Sequence, residues 1–166
     1  MTGKIHSKFK DTVMIAANGL VKKVEHIGST SIRDAKAKDI LDVQLGINTF
    51  EDIDKIKSIL NKLGFEYIDS IQQDHVPFHE FDYFEAGWEK RFFKGIFQAQ
   101  FYNIHIRIFN SKNWNFALDF KKYLNKNSNA KYAFIQFKAR LANSGVSKED
   151  YCLIKDSIID LISLQF

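Results

Sequence analysis

The sequence predicts an α+β fold: a mixed β-sheet packed with helices, with C-terminal helices completing a single domain. Three observations carry that expectation. Short apolar or alternating runs occupy the middle of the chain. The N-terminal stretch and everything from Asn113 onward instead repeat their apolar residues at helical spacing. One proline, Pro77, and 8 glycines leave no Pro/Gly/Ser linker at which to divide residues 1–166.

Each element follows from its local pattern. Residues 5 to 18 read as a helix, because Ile5, Phe9, Val13, Ala16 and Ala17 share a face and Asn18-Gly19 is a stop signal. Leu20 to His26 reads as a strand leading into Gly28-Ser29, and residues 39 to 47 are short and apolar enough for a buried strand. Asp52 to Leu63 is amphipathic through Ile53, Ile56, Ile59, Leu60 and Leu63, with Gly64 as its C-cap. Phe65 to Ile68 is a strand, and Val76 to Phe84 an edge strand marked by Pro77. Arg91 to Gln98 and Phe101 to Phe109 form an antiparallel pair. In the second of these, Tyr102, Ile104, Ile106 and Ile108 alternate with Asn103, His105 and Arg107, so His105 projects from a polar face. Helices follow from Asn113, over Tyr132 to Leu141, and over Ser147 to Leu164, where Ser147 and Asp150 supply a capping signal.

Composition narrows the functional classes. A hydrophobic content of 45% over 166 residues supports a real core and argues against disorder. The single cysteine, Cys152, excludes an internal disulfide framework and a cysteine-rich zinc site, and its apolar helical setting reads as a core thiol. No run of about 18 apolar residues predicts a membrane span. The N-terminus has no secretory pattern, so a cytoplasmic location is the default expectation. A net charge of +4 suits attraction of phosphates or RNA without diagnosing either.

The most informative segment is Val24-Glu25-His26-Ile27-Gly28-Ser29-Thr30-Ser31, followed by Lys38-Asp39-Ile40-Leu41-Asp42-Val43. A Gly-Ser turn between two apolar segments, the second carrying an aspartate, is a layout for holding phosphate beside a metal-binding carboxylate. These residues resemble the signature of the GrpB-like family, in the nucleotidyltransferase-fold superfamily. The resemblance continues through Lys90-Arg91-Phe92-Phe93-Lys94, Ile104-His105-Ile106, Trp114, Leu118, Phe120, Tyr123 and Leu124, then Lys138, Leu141, Ala142, Tyr151 and Lys155. It spans nearly the whole chain.

That resemblance implies a nucleotidyltransferase-like protein that binds a nucleoside triphosphate, or another phosphorylated small molecule, with Mg²⁺ and transfers a nucleotidyl group to an acceptor the sequence does not name. Gly28, Ser29, Thr30, Lys38 and Arg91 would hold phosphate, Asp42 would anchor the metal, and Asp42 and His105 would be the catalytic pair. The sequence also departs from the superfamily pattern. Gln44 stands two residues after Asp42, where a second carboxylate is usual, and His105 lies between Asn103 and Arg107 where a third would be. Arg33, Asp34, Ala35 and Asp39 replace the family's proline- and glycine-bearing loop. The alternative expectation is therefore a catalytically degenerate nucleotide- or anion-binding module without transferase activity.

Several residues keep two readings. Gly28-Ser29 is also an ordinary tight turn. Asp42, in an apolar run, needs either a salt bridge from Lys38 or Arg91, or a cation. His26 suits a structural hydrogen bond to the loop, and Glu25 a pairing with lysine. Lys90, Arg91 and Lys94 interleaved with Phe92 and Phe93 fit base stacking or simple strand alternation. His75 and His79 flank Pro77 and do not form a helical metal pair. RNA binding through the basic surface is a weaker expectation.

Overall fold

The computed structural model describes residues 2–33, 40–78 and 87–166. Among these residues, five α-helices flank a five-stranded sheet. The elements run α1 (Thr2–Ala17), β1 (Val21–Ile27), β2 (Ile40–Ile47), α2 (Ile53–Lys62), β3 (Phe65–Tyr67), β4 (Arg91–Phe97), β5 (Gln100–Ile108), α3 (Lys112–Lys126), α4 (Ser128–Ala142) and α5 (Lys148–Ser163). The α+β class and these element positions agree with the sequence patterns. Residues 79–84 of the expected edge strand lie outside the described residues. Before them the pairing is an isolated bridge between Gln73 and Glu89.

The sheet order is β1-β2-β5-β4-β3. The central pair, β2 and β5, is parallel, and every other pairing is antiparallel. Asp42 lies opposite Asn103, Gln44 opposite His105 and Gly46 opposite Arg107. Because side chains alternate across a strand, this register separates two faces. Leu41, Val43, Leu45 and Ile47 join Tyr102, Ile104 and Ile106 on the face packed by Phe9, Val13 and Ala17 of α1 and Ile56 and Leu60 of α2. The residues between them form the polar face.

Phe9 anchors the apolar layer. It is fully buried, stacks on Tyr102 at 4.4 Å between ring centroids, and meets Phe65 and Phe97 edge-on. β4 and β5 join through Gln98 and Ala99, both at positive φ (49° and 62°). Two consecutive positive φ values are what a tight two-residue hairpin requires, although such turns favour Asn-Gly. The helices α3 to α5 build a smaller cluster around Ile32, Leu124 and Phe134. Trp114 of α3 presses onto Gly46, where an added Cβ would come within 3.0 Å of the indole and of Phe109.

These contacts rank two substitutions. Phe9→Ala is expected to lower stability by about 3–5 kcal/mol through lost burial and a residual cavity. Gly46→Ala is expected to cost about 1–3 kcal/mol, because Trp114 must retreat. Urea unfolding of both variants checks the order, and a neutral Gly46→Ala contradicts the close indole contact.

Candidate functional site

A cavity of about 470 Å³ opens between the polar face of the sheet and α3–α5. Ile27, Gly28 and Ser29 border it at the end of β1, with Asp42 on β2 and His105 and Arg107 on β5. Lys90 precedes β4, and Asp74 and His75 come from the segment after β3. The helices add Phe116, Phe120, Phe134, Lys138, Cys152 and Lys155. The sheet register explains the convergence, since Asp42, His105 and Arg107 fall on one face of the central parallel pair.

Gly28 has φ 66° and ψ −169°, a conformation open essentially to glycine. A Cβ there would stand 2.5 Å from Asp42 Oδ2. The turn therefore lies directly on the carboxylate. Ser31 closes it by donating its hydroxyl to the Gly28 carbonyl at 2.7 Å.

Asp42 is held from the sheet side. Asn103 Nδ2 donates to its Oδ1 at 2.9 Å, and His105 Nε2 stands 3.9 Å from the same oxygen. Burial raises the carboxyl pKa, but the facing His105 and the Asn103 amide lower it by more, so the group stays below the usual range and ionised. Burial lowers the pKa of His105. The facing Asp42 carboxylate works in the opposite direction on that imidazole.

The second polar centre is built on Asp74. Arg107 donates to it from Nε at 2.8 Å and from Nη2 at 3.0 Å, Lys90 Nζ at 2.7 Å, and Asn113 Nδ2 at 2.9 Å. Burial works against its charge, but the two cations hold its carboxyl well below the carboxylate range. The remaining Arg107 branch, Nη1, donates to Gln44 Oε1 at 2.6 Å, and Gln44 Nε2 donates to the Trp114 carbonyl at 3.3 Å. Gln44 is fully buried. It is thus bound to a guanidinium rather than presented as a metal ligand. Among the described residues, no three His, Cys, Asp or Glu side chains are grouped to hold a metal ion. An arginine beside the second strand position does not fit a two-cation carboxylate site.

The candidates from the sequence separate accordingly. Gly28, Ser29, Asp42 and His105 meet at the cavity. Thr30 shares a 2.7 Å hydrogen bond with His26 Nε2, the loop bond expected of that histidine. Arg91 lies one residue out of phase. It pairs opposite Ile106, and its guanidinium lies 4.4 Å from the Phe50 ring centroid, so the neighbouring Lys90 supplies the cation at the cavity. Lys38, Asp34, Asp39 and His79 lie outside the described residues. Glu25 pairs with Lys23 at 3.1 Å. Cys152 corrects the expectation of a core thiol: it is exposed and sits on the cavity rim, because α5 turns that side of its first turns outward. The sequence reading missed Asp74 as an organising residue. No local periodicity marks a lone aspartate in a polar stretch, and only its ionic partners on other elements identify it.

Two predictions follow from this geometry. Gly28→Ala is expected to cost roughly 1–3 kcal/mol in backbone strain alone, with more from collision with Asp42, as read by thermal unfolding; an unchanged Tm sinks it. Burial, then the charges of His6 and Lys121, lower the pKa of His26 from 6.5 to about 4. The unfolded chain therefore takes up that proton first, and stability should be full above pH 6.5 and decline toward pH 4. Asp42 and Asp74, both depressed below 3.8, add a further loss at lower pH. Urea titrations of the native protein and of His26→Gln test this. The upper slope should become shallower in the variant, with the remainder carried by His6 and His105, whose pKa values burial also lowers, and a flat profile for the native protein between pH 7 and 4.5 refutes it.

Comparison with known proteins places this architecture. The chain is 27% identical over 135 residues to a dephospho-CoA kinase of Mycobacterium tuberculosis, a match covering 75% of this chain and 33% of that protein. It thus spans about a third of that relative's length. It is 24% identical over 162 residues to the glutamate-rich protein GrpB of Alkalihalophilus pseudofirmus, covering 96% of this chain and 87% of the relative. The crystal structure of the conserved protein GrpB from Enterococcus faecalis superposes with a TM-score of 0.75 at 22% identity, over 98% of this chain and 90% of that one. The family model described as GrpB protein matches residues 4–164, so the chain belongs to the GrpB family.

Proposed function

We propose that this domain binds a phosphorylated, nucleotide-like small molecule in the cavity between the sheet and the C-terminal helices. The observation that carries the reading is the meeting of the Gly28-Ser29 turn, Asp42, His105 and the Lys90–Asp74–Arg107 cluster around one space of about 470 Å³. That size suits a small organic ligand. Lys90, Arg107, Lys138 and Lys155 outnumber Asp42, Asp74 and Asp156 around the space and leave a small positive surplus, and the turn allows close backbone approach. The likeness to a protein named dephospho-CoA kinase supports a nucleotide-related ligand. This chain carries no G-x-x-x-x-G-K-[ST] phosphate loop, so a kinase reaction is not assigned to it.

The binding reading is favoured over nucleotidyl transfer by one contact. Arg107 occupies the Gln44 oxygen at the place where a transferase would present its second carboxylate. Two-metal catalysis asks for a pair of cations held by acidic ligands, whereas here the resident cations are side chains. Asp42 and His105 then position the ligand through hydrogen bonds.

Calorimetry with ATP, GTP, CTP and UTP, with Mg²⁺ and with EDTA, tests this. At least one nucleotide should bind, and removal of Mg²⁺ should leave binding in place. Lys90→Met should weaken it by about tenfold, the scale of one charge-assisted contact. Absence of binding by all four defeats the phosphate-ligand reading. Turnover of a labelled nucleotide that needs Mg²⁺ would restore the transferase.

A further inference from the structure

The two oxygens of Asp42 have different surroundings. Oδ1 is engaged on the sheet side, where Asn103 Nδ2 donates to it at 2.9 Å and His105 Nε2 stands 3.9 Å away. Oδ2 takes no hydrogen bond or ion pair among the described residues. Nor is it one of the side-chain atoms buried without a partner, which are His6 Nδ1, Trp88 Nε1, His105 Nδ1 and Asp160 Oδ2. Oδ2 is therefore open rather than sealed, on a side chain that is 26% exposed. Gly28 keeps it so. A Cβ at that position would lie 2.5 Å from Oδ2, and Gly28, Ser29 and Asp42 border the same cavity.

An open, ionised carboxylate oxygen selects what can sit beside it. It accepts hydrogen bonds and donates none. A phosphate oxygen placed there meets a like charge, which is unfavourable unless a cation intervenes. The cations around the cavity are mostly committed elsewhere. Lys90 and Arg107 are gathered on Asp74, and Lys155 Nζ stands 3.8 Å from Asp156 Oδ1. The charge of Lys138 does act on the Asp42 carboxyl, but its effect ranks behind those of His105 and Asn103. His105 separates the two polar centres along the central strands, with Asp42 opposite Asn103 on one side of it and Arg107 on the other. The cavity is thus two-ended: an acceptor at the Gly28 turn, and cations around Asp74.

We infer that Asp42 is a specificity residue for the sugar of a phosphorylated, sugar-bearing ligand: Oδ2 accepts from the sugar hydroxyls at the Gly28 turn, while the phosphate lies toward Lys90 and Arg107. This rests on the phosphate-ligand reading and deepens it, adding a sugar and an orientation. A carboxylate is a recurrent reader of ribose hydroxyls in nucleotide sites. A hydrogen bond to an ionised acceptor is also among the stronger ones, so the sugar contact is worth a measurable share of affinity.

The experiment separates this inference from the reading beneath it. ATP, GTP, CTP and UTP, their 2′,3′-dideoxy counterparts and inorganic tripolyphosphate are titrated by calorimetry, in EDTA and in Mg²⁺, into the native protein and into Asp42→Asn. In EDTA the best nucleotide should bind the native protein about tenfold tighter than its dideoxy counterpart, the scale of one hydrogen bond to a charged group. Asp42→Asn should remove most of that ratio, and tripolyphosphate should not weaken. The native comparison stands even where Asp42→Asn fails to fold. Equal affinity for the two sugars overturns the inference while the phosphate site survives. So does a sugar ratio that persists in Asp42→Asn, or a parallel loss for tripolyphosphate, which a structural role alone would produce. Nucleotide binding seen in Mg²⁺ and absent in EDTA puts a metal on Asp42 and overturns it too. Binding of no probe under either condition overturns both readings.

Discussion

The parallel register of β2 on β5 is the constraint on which the rest of the molecule depends. With Asp42 opposite Asn103 and Gln44 opposite His105, each strand sends alternate side chains to opposite sides. One side becomes the apolar layer under α1 and α2, with Phe9, Leu41, Leu45, Tyr102 and Ile104 buried together. The other gathers Asp42, His105 and Arg107 into a polar surface. A slip of one residue would exchange the two sets. The apolar layer therefore fixes the site, although it contributes no atom to it.

Charge on that polar face is balanced internally. Asp74 serves Arg107, Lys90 and Asn113 at once, and Arg107 in turn engages Gln44. Removing one partner of a buried ion pair costs about 3–5 kcal/mol, because the survivor is left uncompensated. The cluster is thus a structural tie in which two cations share one carboxylate, with one positive charge left over. It links the segment after β3, the start of α3 and both central strands. A guanidinium held by three such bonds needs no reorganisation to meet an anion, which is the property that preorganised sites exploit.

Much of this was legible in the chain itself, where local periodicity and local chemistry agree. The alternation over Tyr102 to Ile108 put His105 on a polar face, and the Gly28-Ser29 turn and Asp42 do meet at one cavity. What failed needed parity or distant pairing. Lys90 and Arg91 are adjacent cations in the same basic run, and only the hairpin register, with Arg91 opposite Ile106, decides which one faces the cavity. Gln44 read as a weak metal ligand because its partner, Arg107, sits 63 residues away. Asp74 was invisible for the same reason: its partners lie 16, 33 and 39 residues along the chain.

The C-terminal helices add the step that turns a polar sheet face into a cavity. Among the ties of α3, Gln44 donates to the Trp114 carbonyl, and Lys121 Nζ donates to the His26 carbonyl at 2.8 Å. Between these points α3 sends Phe116, Ala117 and Phe120 toward the cavity. Phe134 of α4 then packs on Phe120, and α5 closes the far side, where Asp160 reaches back to His75 at 2.7 Å. Had an apolar helix face lain flush on the sheet, the ionised Asp42 would have lost its remaining solvation with the Asn103 amide as its one hydrogen-bond donor shown, a costly burial. Standing the helices off on aromatic side chains leaves an open cavity beside those groups. The aromatic wall and the charged floor are consequences of the same packing problem, and together they set the chemistry of what the cavity can hold.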